Sequence, residues 1–430
     1  MSSILTNNSA MVALQTLKSV NNNLSETQSM ISTGKSVASA KDNSAVWAIS
    51  KVMESDVKGF KSISESLSLG QSTVAVARNG AEKITDLLND IKGKIISANE
   101  ENFDGEKLQA DLQSLRDQVT SITGAAQFNG LNLLSNSETG GTAIADIVAN
   151  VGSGEINVLS SLDRGSDGSV TSSSITAAKA DLGTQDAVLG TGTDIDAAAV
   201  TVSAGTVTAS GGTSTITIAG DNGATAERAG NDVLAGDSYS LAIDVGGGAT
   251  TFNVSYVARD GDTLTDIAKG LSANASYGFD SRGLGDAADG IEITRDGNAL
   301  TMTNNSALDV DITEAVTTGG TSGGGLELLG DLDVSTLDGA KASLGAFESL
   351  IQTSIDAAAT FGSSEGRIDI QNEFVTSLSD SLKSGIGALV DANMEETSAR
   401  LQALQVQQQL AVQSLSIANQ APQSILSLFR

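Results

Sequence analysis

Residues 63–95 read ISESLSLGQSTVAVARNGAEKITDLLNDIKGKI. Stepping alternately by four and three from Ile63 lands on Leu67, Gly70, Val74, Ala77, Ala81, Ile84, Leu88, Ile91 and Ile95. An apolar seam kept for that long predicts a coiled-coil helix rather than an isolated amphipathic one. A second stretch repeats the stepping through Leu108, Leu112, Leu115, Val119 and Ile122, with Asp104-Gly105 as a turn between the two. The first forty residues carry a weaker seam, read as Ala10, Leu14, Leu17, Asn21, Leu24, Gln28 and Ile31. Its counterpart near the other end is Leu401, Leu404, Gln408, Ala411, Leu415 and Ala418, and further inward Ile368, Gln371, Val375, Leu378, Leu382, Gly385 and Leu389 continue the pattern. Pro422 is expected to end the last helix.

Between these helical ends the sequence changes character. Residues 140–340 hold 33 of the 46 glycines and carry 28 acidic against 7 basic side chains. Apolar residues there alternate with Thr, Ser and Ala: Val200 and Val202, Val207, Ile216 and Ile218, Leu241 and Ile243, Phe252, Val254 and Tyr256, Ile291 and Ile293, Leu300 and Met302. Period-two runs separated by turns such as Asp260-Gly261 and Asp296-Gly297 predict short strands. Leu264, Ile267, Ala268 and Leu271 predict one short helix after the Phe252–Ala258 strand. The fold class expected is α+β: long helices at both ends and one or two small β-rich domains inserted. The Ser/Gly/Thr stretch at 165–175 and the run 317–325 read as connectors.

Composition removes several functions. A net charge of -28 argues against nucleic acid or an anionic membrane surface as partner. With no His and no Cys, neither a Ser-His or Cys-His nucleophile nor a zinc site of the usual kind can be built, and disulfides are impossible. An H-E-x-x-H protease is excluded, and one Trp with three Tyr makes a sugar-hydrolysing cleft improbable. No apolar run reaches the ~20 residues of a membrane span, and the first thirty residues lack the pattern of a secretory signal peptide. No enzyme activity, cofactor or metal is expected. Asp194-Ile-Asp196 and Asp331-Leu-Asp333 suggest calcium, but the sixth position counted from Asp331 is Thr336, not the Gly an EF-hand needs; both read as solvated acidic surface. Asn253-Val-Ser255 and Asn274-Ala-Ser276 fit the glycosylation sequon, a pattern common by chance.

The few apolar seam residues of the first forty do not offset the entropy of ordering that length of backbone. That end is expected to fold only with neighbours from other chains, coupling folding to assembly.

Both ends then carry a resemblance. Residues 1–10 (MSSILTNNSA), Ile31-Ser-Thr-Gly-Lys35 with Ser39-Ala-Lys-Asp-Asn43, Phe128-Asn-Gly-Leu-Asn-Leu-Leu134, and Ala418-Asn-Gln-Ala-Pro-Gln423 followed by Leu426-Ser-Leu-Phe-Arg430 are similar, in order, to elements of bacterial flagellins. The resemblance spans residues 1–136 and 340–430; Phe252 to Leu271 also resembles a short insertion repeat of some flagellins. It implies a structural subunit, exported unfolded through the flagellar type III apparatus, which polymerises beneath a cap into the filament used for motility; the alternative is a hook–filament junction protein. The implied domains are an inner-tube coiled coil from 1–40 and 395–430, an outer-tube helical domain from 41–139 and 341–394, and a surface-exposed variable region at 140–340. The implied inner-tube contacts are Leu14, Leu17, Leu24, Ile31, Leu401, Leu404, Ala411 and Leu415. The implied outer-tube coil is Ile63, Leu67, Val74, Ile84, Leu88, Ile91, Ile95, Leu112, Leu115, Val119, Val375, Leu378, Leu382 and Leu389. Implied partners are further copies of the chain, the export apparatus and its chaperone, and the cap and hook-junction proteins, in an extracellular setting, with no nucleic acid and no membrane insertion. Two departures stand out. Where many flagellins carry an Arg, a Glu and a Leu read by an innate immune receptor, this chain has Asp90, Gly93 and Lys94, and Val46-Trp47 replaces residues that are commonly small.

Overall fold

A computed structural model describes residues 7–97, 104–135, 155–165, 169–192, 199–219, 233–259, 261–285 and 290–427. In chain order the elements are α1 (Asn8–Thr33), α2 (Ser44–Ser97), α3 (Gly105–Ala125), β1 (Gln127–Phe128), β2 (Leu131–Asn132), β3 (Glu155–Arg164) and β4 (Val170–Ala178). The insert follows with β5 (Val200–Val202), β6 (Thr206–Val207), β7 (Gly212–Ile218), β8 (Ser238–Val245), β9 (Thr250–Val257), α4 (Leu264–Asp280), β10 (Ile291–Asp296), β11 (Ala299–Asn304) and β12 (Val310–Thr317). A single turn, α5 (Leu328–Asp331), leads to α6 (Leu337–Val390) and α7 (Met394–Ser427). The chain is α+β, as its patterning predicts. It forms two compact units: one from the residues up to Glu65, Ser161–Thr171 and Asn372 onward, the other from Ser66–Ser160 and Ser172–Gln371.

In the first unit α1 and α7 run antiparallel. Asn7 Nδ2 donates to Ala418 O (2.8 Å), Gln408 Nε2 to Asn21 Oδ1 (2.8 Å), and Ala392 N to Gly34 O (3.0 Å). The stripe α1 buries runs through Ala13, Val20 and Thr27, with Ala10, Leu17, Leu24 and Ile31 half-buried between them. On α7, Thr397 and Leu404 are buried and Leu401, Gln408, Ala411, Leu415 and Ala418 half-buried, so this stripe keeps the predicted four-three stepping. Pro422 does not end α7, which continues to Ser427.

In the second unit the long helices α2 and α6 are again antiparallel. Arg78 Nε meets Glu365 Oε2 at 2.6 Å, Thr85 Oγ1 meets Ser354 Oγ at 2.8 Å, and Lys92 pairs with Glu348. The insert packs two four-stranded antiparallel sheets, ordered β10-β11-β7-β5 and β6-β12-β8-β9. Their inward residues, among them Ile216, Leu241, Ile243, Val254 and Met302, form one core with Ile267, Leu271 and Phe279 of α4. Phe252 and Phe279 meet edge-to-face at 5.1 Å. Helix α4 lies close on β9 because Gly270 and Gly278 present no side chain: a Cβ there would sit 2.2 Å from the Tyr256 ring and 2.4 Å from the Phe252 ring.

Two stretches expected to be connectors are not loose. All of 170–175 belongs to β4, while 166–168 lie outside the described residues. In the other stretch Thr318 and Ser322 are fully buried, and bridges join Gly192 to Thr318 and Val188 to Thr321. The glycines there allow backbone to pack on backbone. A Cβ at Gly324 would lie 2.0 Å from Gly183 O and one at Gly325 1.9 Å from Asp181 O.

Candidate assembly surfaces

The predicted outer seam on α2 is buried at every step: Ile63, Leu67, Gly70, Val74, Ala77, Ala81, Ile84, Leu88, Ile91 and Ile95. Leu112 and Val119 are buried and Leu115 half-buried. On α6, Val375 is buried, Leu378 and Leu382 are half-buried, and Leu389 is 42% exposed. Val390 takes the place expected of Leu389. A helix of 3.6 residues per turn drifts out of a strict heptad, and the buried stripe has advanced by one position at the end of α6. Toward the start of α6 the seam continues through Phe347, Leu350, Ser354, Ala357, Phe361 and Ser364, which the sequence reading omitted.

On α1 the expected seam is shifted at three steps. Leu14 is 58% exposed and Asn21 and Gln28 are exposed, one position beyond Ala13, Val20 and Thr27. The Asn21–Gln408 hydrogen bond is a surface link along the edge of the pair, not a buried one. The outward face of α1 shows Met11, Val12 and Leu14, and that of α7 shows Val406, Leu410, Val412 and Ile417. Both helices of the pair thus present apolar side chains away from each other.

The motifs at 31–43 and 128–134 are caps and turns, the closing motif lies on α7, and residues 1–6 and 428–430 lie outside the described residues. Gly34, at φ 71°, closes α1, its N–H donating to Met30 O at 2.9 Å. Asp42 Oδ2 accepts from Ala38 N, Ser39 N and Ser39 Oγ, bonds that hold its carboxyl below the usual range. Asn43 Oδ1 accepts from Val46 N at the start of α2. Asn129 (φ 52°) and Gly130 (φ 82°) form the tight turn between β1 and β2, the Asn-Gly pairing that such hairpins demand. Behind it Leu133 and Leu134 are buried, and Leu134 lies where a Cβ on Gly80 of α2 would be, 2.6 Å away.

These are structural devices, and among the described residues no group of three or more His, Cys, Asp or Glu could hold a metal ion. Asp194 and Asp196 lie outside the described residues. Asp331 and Asp333 are tied by their backbones to the Tyr277 hydroxyl (3.0 and 2.9 Å). A strongly buried cation of the insert, Arg259, donates to Gly323 O (3.1 Å) and the Tyr256 hydroxyl (2.5 Å) and faces Asp181 (3.4 Å) and Asp262 (4.0 Å). It fastens the insert to the segments that enter and leave it.

The model of the bacterial flagellin N-terminal helical region matches residues 4–139, and that of the C-terminal helical region matches 344–429. Flagellin A of Rhizobium meliloti is 37% identical over 441 residues, covering 100% of both chains, and Flagellin B of the same organism is 35% identical over 430 residues, again covering 100% of both. The chain belongs to the bacterial flagellins. Full-length relatives that are themselves flagellins make this flagellin a subunit of the filament rather than the junction protein weighed beside it. Flagellin FljO of Caulobacter vibrioides is 37% identical over 195 residues, covering 44% of this chain and 70% of its own. Solved structures superpose only loosely: FliC from Burkholderia pseudomallei has a TM-score of 0.28 at 16% identity, covering 69% of this chain and 99% of its own. Of the three positions that depart from the receptor-read pattern, Asp90 and Gly93 are exposed, and Lys94 pairs with Asp111 at 2.8 Å. Among the described residues no helix of the flagellin is long and apolar enough to cross a membrane.

Proposed function

We propose that this flagellin is secreted unfolded and completes its fold only as it joins the filament, with α1 and α7 in the inner tube. The observation that carries the reading is the apolar outward face of that pair: Met11, Val12, Leu14, Val406, Leu410, Val412 and Ile417, each more than half exposed. Burying one such side chain is worth about 1.5–3 kcal/mol. Neighbouring copies supply that burial, and Leu17, Leu24, Ile31, Leu401, Leu404, Ala411 and Leu415 hold the pair together within each copy. In this reading residues 1–40 and 395–430 make the inner tube, 41–139 and 341–394 the outer tube, with the Ile63–Ile95 seam as its spine. Residues 140–340 project from the surface. The export apparatus, its chaperone, the cap and the hook-junction proteins handle the chain before and during assembly. A sequence with no cysteine brings no disulfide to obstruct threading.

The test is seeded growth. Purified chain is incubated with short filament fragments at rising concentration, and electron microscopy is run beside circular dichroism. Uniform filaments with a gain in helix support the reading. A monodisperse monomer with fully helical ends that refuses every seed overturns it.

A further inference from the structure

Pro422 lies inside α7 and has no N–H, so the carbonyl four residues earlier loses its helical donor. That carbonyl is Ala418's, and it receives another donor: Asn7 Nδ2 at 2.8 Å. The same Asn7 amide uses its oxygen to cap α1, accepting from Ala10 N at 3.0 Å. One end of the amide is fixed by α1, and this aims the other end at α7. Ala418 is part of the buried stripe of α7, so the bond sets which turn of one helix faces which turn of the other.

We propose that Asn7 and Pro422 act together as a register pin for the α1–α7 pair: the proline frees a carbonyl, and the capping asparagine claims it. The proposal rests on the filament reading above and names the residues that fix the alignment of the pair. Apolar stripes alone specify this alignment weakly, because Ala13, Val20, Thr27, Ala411 and Ala418 are small or polar and a slide by one heptad leaves the burial pattern much the same. A directional hydrogen bond to one carbonyl does not survive the slide.

The chemistry separates the two duties of Asn7. In Asn7→Asp the side chain remains a good cap, since a carboxylate at a helix N-terminus is favourable. It has no donor for Ala418 and sets a negative oxygen against the carbonyl. In Pro422→Ala the helix supplies its own N–H to Ala418, so the loss of the Asn7 donor matters less.

The experiment measures the critical concentration for seeded growth of the full-length chain in four forms: wild type, Asn7→Asp, Pro422→Ala and both together. Helicity per subunit of the filaments grown above each form's critical concentration is read in parallel to show that Asn7→Asp retains its cap. Asn7→Asp is expected to raise the critical concentration about fivefold or more, the net worth of at least one hydrogen bond. In the Pro422→Ala background the same substitution is expected to raise it by about twofold or less. Equal effects in both backgrounds overturn the pairing of the two residues, and growth of Asn7→Asp at the wild-type concentration overturns the pin altogether. Wild-type chain that fails to grow from seeds counts against the filament reading instead, so the two failures are told apart.

Discussion

Replacing Gly70 by Ala tests whether the α2 seam is as tight as its geometry implies. A methyl added at Gly70 would lie 2.5 and 2.6 Å from the two γ-carbons of Val158 and 3.1 Å from its β-carbon. Val158 is 5% exposed, and no rotamer takes its β-carbon away. In an unobstructed helix interior Gly→Ala stabilises by about 0.5–1 kcal/mol. Overpacking a filled core costs about 1–3 kcal/mol. The clash is therefore expected to win, leaving a net loss of about 1 kcal/mol and lowering the melting temperature by about 2–4 °C for a unit of this size. The decisive comparison is the same change made beside Val158→Ala. There the two γ-carbons are gone, a shift of a few tenths of an ångström accommodates the β-carbon that remains, and Gly70→Ala is expected to stabilise by up to about 0.5–1 kcal/mol. Ellipticity at 222 nm, followed through urea and thermal unfolding of all four forms, reads both signs. If Gly70→Ala stabilises the chain that keeps Val158, or has the same effect in both backgrounds, the close approach of β3 to α2 is wrong.

Three other outcomes follow from the same geometry. Leu415→Asp puts a charge in the half-buried stripe of α7 and is expected to leave secretion intact while abolishing polymerisation, scored by comparing culture supernatant with sheared filaments; normal filaments contradict the stripe. Removing residues 193–317 and closing Gly192 to Thr318 through Asn-Gly is expected to preserve assembly, because those two residues already exchange hydrogen bonds of 2.9 and 3.0 Å and a two-residue turn suits such a pair; loss of filaments from a folded deletion shows that the insert makes essential contacts. Asp262, Asp280, Glu327 and Asp331 all have carboxyls pushed above their ordinary values, chiefly by burial. Such a group adds stability that is complete below its unfolded pKa and is lost as pH rises through the folded one. Asp333, held low by Ser335, opposes the four only when pH falls to the carboxylate range itself. The insert is therefore expected to lose resistance to urea as pH rises from about 4, the ordinary carboxylate range, upward. Near-ultraviolet dichroism of a Trp47→Phe background reads this, because Tyr239, Tyr256 and Tyr277 all lie in the insert. A midpoint that drops on acidification over that range refutes the assignment.

The seam of α2 was legible because its buried positions carry mostly Ile, Leu and Val. The first half of α6 hid the same geometry behind serine: Ser354 is fully buried, yet its hydroxyl is satisfied by Ala81 O and Thr85, so it serves as a small seam residue. On α1 the large side chain at Leu14 drew the reading away from Ala13 beside it. The larger residue faces outward and the smaller one lies toward α7. The strands of the insert followed their alternation. β12 was not read, because its alternation lasts only two steps: Val310 and Ile312 point into the core and the residues after them do not. The run at 317–325 was misread for a related reason: glycine and serine make a flexible tether in water, but the same residues let two backbones touch. Pro422 was expected to stop its helix, and no pattern along one strand of sequence announces a donor from a residue 411 positions away.

That separation also bears on how incomplete chains are handled. Among the described residues α1 is the first helix to be made and α7 the last, and each is the other's partner. A product cut short between α6 and α7 keeps the α2–α6 seam and the insert, yet its opening helix finds nothing to lie against. In the assembly proposed above, such a fragment has no finished end to offer a growing filament. Pairing the two extremes of the described chain therefore works as a check for completeness, carried out by folding itself without a separate inspector.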